Sequence, residues 1–270
     1  MSKDADELER FLAEQLREQV GNLMAASQLL APVIREQENR HYDQYMAILN
    51  QSLYRLLRLA EHVDLAQRER RGDKLEFHPV LLELEPLCRE LCQKVTGAAA
   101  PLRVDFQWEW DGREAAVLGD PLLLRRMLLN LIANALHAAS SGGQAGLRLC
   151  TEGRSVRLTV WNSGGETPLP RSESIESGSG WKKDSGVQTR MGVELAWEVV
   201  ECHQGTLVFE QGEERRGLRA VISLPVANDT EATGLHTPRI GYDPTGGFSQ
   251  VLVELSDVLP FEAYLPEDVE

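Results

Sequence analysis

Several features that would point to particular classes of protein are scarce or missing in this sequence. Of the four cysteines, Cys88 and Cys92 lie one helical turn apart, and there is no second closely spaced pair that could complete a metal site. Buried free thiols are therefore favoured over a metal site. Basic residues are outnumbered, 28 Lys and Arg against 42 Asp and Glu, and the net charge of −14 argues against nucleic acid as a partner. The most apolar stretch, residues 23–34, is too short and too polar to cross a bilayer, and no charged-then-apolar leader is recognisable before it. We therefore expect a cytoplasmic protein without membrane insertion.

Residues 5–70 carry apolar side chains at alternating spacings of three and four in two successive stretches. The positions are Leu12, Leu16, Val20, Leu23, Ser27, Leu30 and Ile34, then Tyr42, Met46, Leu49, Leu53, Leu56, Ala60 and Val63. This spacing predicts two long helices with coiled-coil-like seams, joined near residues 36–39. Because a lone helical hairpin has too little core, we expect two hairpins to pair as a four-helix bundle in a homodimer.

The stretch from residue 119 to residue 141 predicts a helix with one apolar and one polar stripe. Asp120 suits the N-cap, and Pro121 suits the first helical position. Asn130, Asn134 and His137 share one side of this helix. Asn is unfavourable inside a helix, and its carbonyl oxygen suits Mg²⁺ beside phosphate. From these residues alone, a wall facing a phosphate and a plain solvent-facing stripe remain equally open.

This helix resembles the N box of histidine kinases and their GHKL ATPase relatives. The family pattern is D-P-x-x-L-x-x-x-L-x-N-L-x-x-N-A, and the matching residues are Asp120, Pro121, Leu124, Leu128, Asn130, Leu131, Asn134 and Ala135. The resemblance implies ATP and Mg²⁺ as cofactors. It also implies that Asn130 belongs to the nucleotide site, that Asn134 holds the metal and that His137 lies near the phosphates.

Two glycine motifs of the same family occur here in altered form. Where the family has D-x-G-x-G, residues 162–166 read N-S-G-G-E, so Asn162 and Gly164 are the expected adenine contacts and one carbonyl acceptor remains. Without the resemblance, this stretch is simply a turn. Where the family has G-x-G-x-G-L at the mouth of a helix, residues 190–195 read R-M-G-V-E-L, and only Gly192 remains. Glu194 is expected in the first helical turn, where its charge competes with phosphate.

The N-terminal hairpin is similar to the dimerisation and phosphoacceptor domain of histidine kinases, whose first helix carries H-E-L-R-T-P-L. Residues 14–20 read E-Q-L-R-E-Q-V, so Glu14 stands at the phosphoacceptor position and Gln15 at that of the assisting acid. A carboxylate has no imidazole nitrogen to attack a phosphoryl group. The resemblance therefore implies that autophosphorylation on His is absent.

The remaining periodicity predicts a series of short elements and, with the resemblance, an α+β protein. The predicted elements are a strand at 74–78, a helix at 79–96, strands at 102–110 and 116–118, a hairpin of 147–151 and 156–160, a helix at 192–203, strands at 206–210 and 218–224, and a final strand at 251–256. The resemblance implies a helical hairpin over 1–70, a GHKL (Bergerat-type) α/β sandwich over 71–227, and a linker and tail over 228–270. Lys182, Lys183 and Arg190 lie in the polar lid of the sandwich, where a solvated charge cluster is favoured over phosphate contacts.

The functional expectation is a histidine-kinase-like protein of two-component signalling that has lost its phosphoacceptor and has a weakened ATP site. Such a pseudokinase would act by dimerising and by binding a response regulator or an intact histidine kinase. One alternative is a working GHKL kinase or ATPase that uses Mg·ATP held by Asn134 to phosphorylate a partner. Another is a structural dimer that binds no nucleotide.

Overall fold

The computed structural model describes residues 20, 21, 23, 27, 30, 40–139, 142–164, 187–211, 217–227 and 248–265. The chain forms two compact units. The first comprises residues 1–74 and 242–270, and the second comprises residues 75–241. The second unit is therefore an insertion within the first, and each is described by itself below.

The first unit contains a long helix, α1 (Arg40–Arg71). Its predicted seam divides into two halves by exposure. Met46, Leu53 and Ala60 are buried, whereas Leu49, Leu56 and Val63 are 37–45% exposed. The described positions of the preceding stretch divide in the same way, with Val20 and Ser27 buried and Leu23 and Leu30 exposed. One half of the heptad pattern thus packs within the unit, and the other half faces outward. Glu14 and Gln15 lie outside the described residues.

The C-terminal part of the first unit is helical. Helix α5 (Gln250–Glu254) begins after Ser249, whose hydroxyl accepts a hydrogen bond from the backbone N–H of Leu252, and a 3₁₀ turn follows at Phe261–Tyr264. The predicted strand at 251–256 is wrong. Consecutive residues from 251 to 256 are all buried, so their alternation does not separate an inner from an outer face.

The second unit opens with a small antiparallel sheet. Strand β1 (Val80–Glu83) pairs with β3 (Ala116–Gly119), and helix α2 (Leu84–Ala99) follows β1 directly. The strand predicted at 74–78 is wrong, and the helix predicted at 79–96 begins later than expected. Residues 80–83 become a strand because β3 offers a hydrogen-bonding partner, which local apolar spacing does not reveal.

A five-stranded mixed sheet forms the body of the second unit, in the order β2-β4-β5-β7-β6. Its strands are β2 (Asp105–Trp110), β4 (Gln144–Glu152), β5 (Ser155–Asn162), β6 (Thr206–Gln211) and β7 (Leu218–Pro225). The β2–β4 pair is parallel and the others are antiparallel. The predicted hairpin around Gly153 is confirmed.

Helices cover one face of this sheet. They are α2, α3 (Pro121–Ala139) and α4 (Val187–Cys202), and they pack on alternate apolar residues such as Leu147, Leu158 and Ile222. The opposite face is a shallow concavity of about 540 Å³, lined largely by charged and polar side chains. The α/β sandwich expected from the sequence is therefore confirmed.

Candidate nucleotide site

Asp120 fixes the start of helix α3. Its Oδ1 accepts hydrogen bonds from the backbone N–H groups of Leu122 and Leu123 at 3.0 and 3.2 Å, which is the geometry of an N-cap. Its Oδ2 accepts a third hydrogen bond from the backbone N–H of His78 at 2.9 Å. The predicted N-cap is confirmed, and the buried carboxylate also anchors the segment before β1.

His203 joins the end of helix α4 to the start of α3, a role that the sequence did not indicate. Its Nε2 accepts a hydrogen bond from the backbone N–H of Asp120 at 2.9 Å. Nε2 is therefore unprotonated, and Nδ1–H donates to the carbonyl of Val199 at 2.6 Å. Burial lowers the pKa of His203, which opposes protonation and keeps the imidazole neutral. A histidine following a helix gives no local signal for such a long-range bond.

The polar stripe of α3 runs from the interior to the surface. Asn130 is only 2% exposed, Asn134 is half-buried and His137 is exposed. The Asn130 amide donates to the carbonyl of Arg126 at 3.0 Å. A Cβ added at Gly192 would lie 2.8 Å from the Oδ1 atom of Asn130. A side chain at Gly192 would therefore make the Asn130 amide shift, so glycine lets α4 pack against α3 without displacing that amide.

Asn162 and Gly164 lie against the other end of α3. The Asn162 Oδ1 atom accepts a hydrogen bond from the backbone N–H of Gly164 at 3.0 Å, so the amide stabilises its own turn. A Cβ at Gly164 would lie 1.8 Å from the carbonyl oxygen of Ala138. Glycine is therefore needed where this turn meets the helix, and one lone pair of the Asn162 oxygen remains for another donor.

Helix α3 brings the predicted site residues together. Gly192 meets it at Asn130, and Gly164 meets it at Ala138, about 12 Å further along the helix axis at 1.5 Å per residue. Asn134 is placed between these two contacts. Gly165, Glu166, Lys182 and Lys183 lie outside the described residues, and the side chain of Arg190 is not described.

The start of α4 differs from the sequence prediction. The helix begins at Val187, five residues before Gly192, and its first turn contains no acidic residue. The placement of Glu194 in the first turn is therefore wrong, because Glu194 lies in the helix interior and is half-buried. Among the described residues, the backbone N–H groups left free by the start of the helix are those of residues 187–189. Those from residue 190 onward are used within the helix.

The described cysteines and acidic residues do not form a metal centre. Burial raises the pKa of Cys92 to about 12, and burial also raises the pKa of Cys88, so both thiols stay protonated at neutral pH. Within the described ranges, no group of three or more His, Cys, Asp or Glu side chains is arranged to hold a metal ion. The candidate magnesium donor at this site is the amide oxygen of Asn134.

Comparison with known proteins defines the class of this domain. Residues 119–228 match the family described as histidine kinase-, DNA gyrase B-, and HSP90-like ATPase. The second unit thus contains an ATPase domain of this class, for which ATP, typically with Mg²⁺, is the implied cofactor. The curated relatives include several sensor histidine kinases, and together with the domain match they support a place for the chain in the histidine kinase family.

Two relatives illustrate the extent of the similarity. Sensor histidine kinase GlrK of Escherichia coli is 27% identical over 214 residues, covering 76% of this chain and 44% of the relative. Sensor protein kinase PmrB of Pseudomonas aeruginosa is 25% identical over 228 residues, covering 83% and 47%. The chain thus spans less than half the length of these relatives.

The fold also has counterparts among solved structures. Full-length ShkA in complex with AMPPNP has a TM-score of 0.52 and 20% identity, covering 79% of this chain and 46% of that one. This likeness concerns the fold alone. In the part of the chain that the structure describes, no helix is both long and apolar enough to span a membrane.

Proposed function

We propose that this protein is a pseudokinase of two-component signalling: a cytoplasmic homodimer with a weakened ATP site that acts by binding protein partners. The observation that carries the proposal is the course of helix α4. Regular helix runs from Val187 through Gly192, where the family motif G-x-G-x-G-L would provide a glycine-rich turn. Backbone N–H groups that would receive phosphates are instead used inside the helix.

Some residues of the site fit a role in binding ATP, and others have structural roles of their own. Asn134 is half-buried on α3 and supplies the type of oxygen that Mg²⁺ prefers, and exposed His137 is available to phosphate. In contrast, Gly164 leaves no room for a Cβ beside the backbone of α3, and Asn162 commits one lone pair of its oxygen to its own turn. Packing and turn geometry thus account for these residues without a bound nucleotide.

The phosphoacceptor position adds a second argument. By the resemblance to histidine kinases, Glu14 stands where the phosphorylated histidine is expected. Its carboxylate is not an imidazole nucleophile, and it repels an approaching triphosphate. A protein that neither holds phosphates well nor carries the acceptor functions through binding, and a response regulator or an intact histidine kinase is the partner that the family implies.

The exposed half of the α1 heptad supports dimerisation. Leu49, Leu56 and Val63 are spaced by seven residues and are 37–45% exposed, and Leu23 and Leu30 repeat the pattern in the preceding stretch. Apolar stripes from two copies would complete a four-helix bundle. We expect Leu56→Glu to convert a dimer into a monomer in light scattering. Gln44→Glu, an exposed change away from this stripe, is the control, and a monomeric wild-type protein would contradict the proposal.

Calorimetric titration with Mg·ATP tests the nucleotide site. We expect the wild-type chain to bind Mg·ATP with a millimolar Kd. The double variant Arg190→Gly and Glu194→Gly should bind at least tenfold more tightly, because two glycines weaken the helix where the family has its phosphate-binding turn. Gln93→Ala, an exposed change on α2, is the control for handling and folding. No gain on restoring the glycines would contradict this account of the site.

The second candidate function is a working GHKL kinase or ATPase, and the intact polar stripe of α3 favours it. Tight Mg·ATP binding that disappears in Asn134→Ala would support this enzyme. Acid-labile label on the isolated chain after incubation with γ-labelled ATP would rule out the pseudokinase. Label found only on a partner protein would favour a kinase that phosphorylates that partner.

A further inference from the structure

The C-terminal segment, residues 248–265, is an integral part of the first unit. Its apolar side chains are at most 5% exposed at Val251, Leu252, Val253, Leu255, Leu259 and Tyr264. A helix of five residues is not stable by itself in water. The segment therefore keeps its conformation through contacts with the rest of the unit, and α1 supplies many of them.

Three polar side chains of α1 recognise the backbone of this segment. The Asn50 amide donates to the carbonyl of Tyr264 at 3.2 Å, and the Gln51 amide donates to the carbonyl of Leu259 at 2.7 Å. Arg55 Nε donates to the carbonyl of Ser256 at 3.0 Å. All three carbonyls follow α5. One face of α1 thus binds backbone carbonyls of the turns that follow the short helix.

A buried arginine adds selectivity for acidic side chains. The Arg58 guanidinium lies 2.6 Å from the carboxylate of Asp257 and 3.7 Å from that of Glu254. The side chains of Arg58 and Glu254 are only 6% and 1% exposed. A buried cation is costly unless it is paired, so this face favours a peptide that brings carboxylates to this position.

Aromatic packing completes the contact. The Tyr54 ring lies on the same face of α1, 5.3 Å from the ring of Tyr264 and 6.3 Å from that of Phe248, measured between centroids. Tyr264 and Phe248 come from opposite ends of the C-terminal segment. Tyr54 therefore bridges both ends of the bound peptide, and its ring is fully buried.

We propose that this face of α1 is a docking site for a short apolar peptide with two carboxylates, and that the C-terminal segment is its resident ligand in the same chain. The tether keeps the segment at a high effective concentration beside α1, so it excludes other proteins from this face until it is displaced. The outward face with Leu49 and Leu56, proposed above as the dimer surface, is not covered by the segment. This inference does not depend on nucleotide binding.

A fluorescent synthetic peptide of residues 246–267 tests the docking site on the full-length chain. We expect no saturable binding to the wild-type chain, whose own segment occupies the face. A chain with Val253→Ser and Leu255→Ser in its own segment should bind the peptide saturably. Adding Arg58→Met to that chain should weaken binding at least tenfold, and a peptide carrying Glu254→Gln and Asp257→Asn should be weakened similarly.

Arg148→Met is the matched control, because Arg148 forms an exposed ion pair with Glu109 in the other unit. It should leave peptide binding unchanged. Equal peptide binding by the wild-type and weakened chains would overturn the proposal, as would tight binding that ignores Arg58→Met. Failure of the weakened chain to bind the peptide would overturn it as well.

The cleavage experiment needs no change in the segment itself. A site-specific protease sequence replaces residues 234–240, and native mass spectrometry measures whether the cleaved segment stays bound. We expect retention in an otherwise wild-type chain and at least tenfold greater release with Arg58→Met. Complete release from the otherwise wild-type chain would show that the tether alone holds the segment, which would refute a docking site.

Discussion

Replacing Asp120 tests whether this carboxylate is a structural group that joins two segments of the second unit. It accepts hydrogen bonds from Leu122 and Leu123 at the start of α3 and from His78 ahead of β1. Asp120 is 3% exposed, so a substituted side chain leaves these donors with little access to water.

The magnitude follows from the two kinds of contact. Losing a helix N-cap costs about 1 kcal/mol. Losing the charged acceptor of the His78 N–H adds about 1.5–3 kcal/mol. We therefore expect Asp120→Ala to lower the free energy of unfolding by about 3 kcal/mol. Asp120→Ser retains an N-cap and should lose about 1 kcal/mol less than Ala. Glu114→Ala, an exposed carboxylate in the same unit, should change stability by no more than about 0.5 kcal/mol.

Urea unfolding monitored by tryptophan fluorescence isolates the second unit, because the first unit contains no tryptophan. The five tryptophans are Trp108, Trp110, Trp161, Trp181 and Trp197. Comparing midpoints is valid if the slope with urea is unchanged between variants. An Asp120→Ala protein within about 0.5 kcal/mol of wild type would refute the assigned role. Equal losses for Ser and Ala would refute the N-cap contribution.

Two further predictions concern the end of α4. Gln204 has a φ of 55°, so Gln204→Gly should stabilise the second unit by about 0.5–1 kcal/mol in the same urea assay. Gln93→Gly, inside α2, should instead lower the free energy of unfolding by about 1 kcal/mol. A lower stability of Gln204→Gly than of wild type would contradict the inference that Gln204 is strained. Because burial lowers the pKa of His203, the folded protein binds this proton less readily than the unfolded chain. The contribution of neutral His203 to the stability of the fold should therefore be fully present above the ordinary pKa near 6.5. It should fall as the pH drops below that value. His203→Gln should reduce this loss of stability at low pH, and His78→Gln should not. The same dependence of unfolding free energy on pH in both variants would contradict the role given to His203.

Local signals in the sequence were sufficient for some elements and insufficient for others. Helix α3 was predictable because its cap and apolar period lie within the helix itself, and the β4–β5 hairpin was predictable because two alternating stretches flank Gly153. Strand β1 was not, because residues 80–83 carry a helix-compatible pattern and become a strand only by pairing with β3. The early start of α4 was missed because the resemblance implied a glycine-rich turn, whereas the residues actually present tolerate helix.

The sequence by itself determined the cap on α3 and the altered residues at the glycine motifs, because each depends on neighbours within a few turns of chain, whereas the sandwich was expected from the resemblance to GHKL ATPases. Only the tertiary structure decided that His203 bonds to Asp120, 83 residues away, and that Gln51 binds the carbonyl of Leu259, 208 residues away. Such contacts depend on which surfaces meet after folding. Local periodicity records which face of an element is apolar, and it does not record which distant segment covers that face.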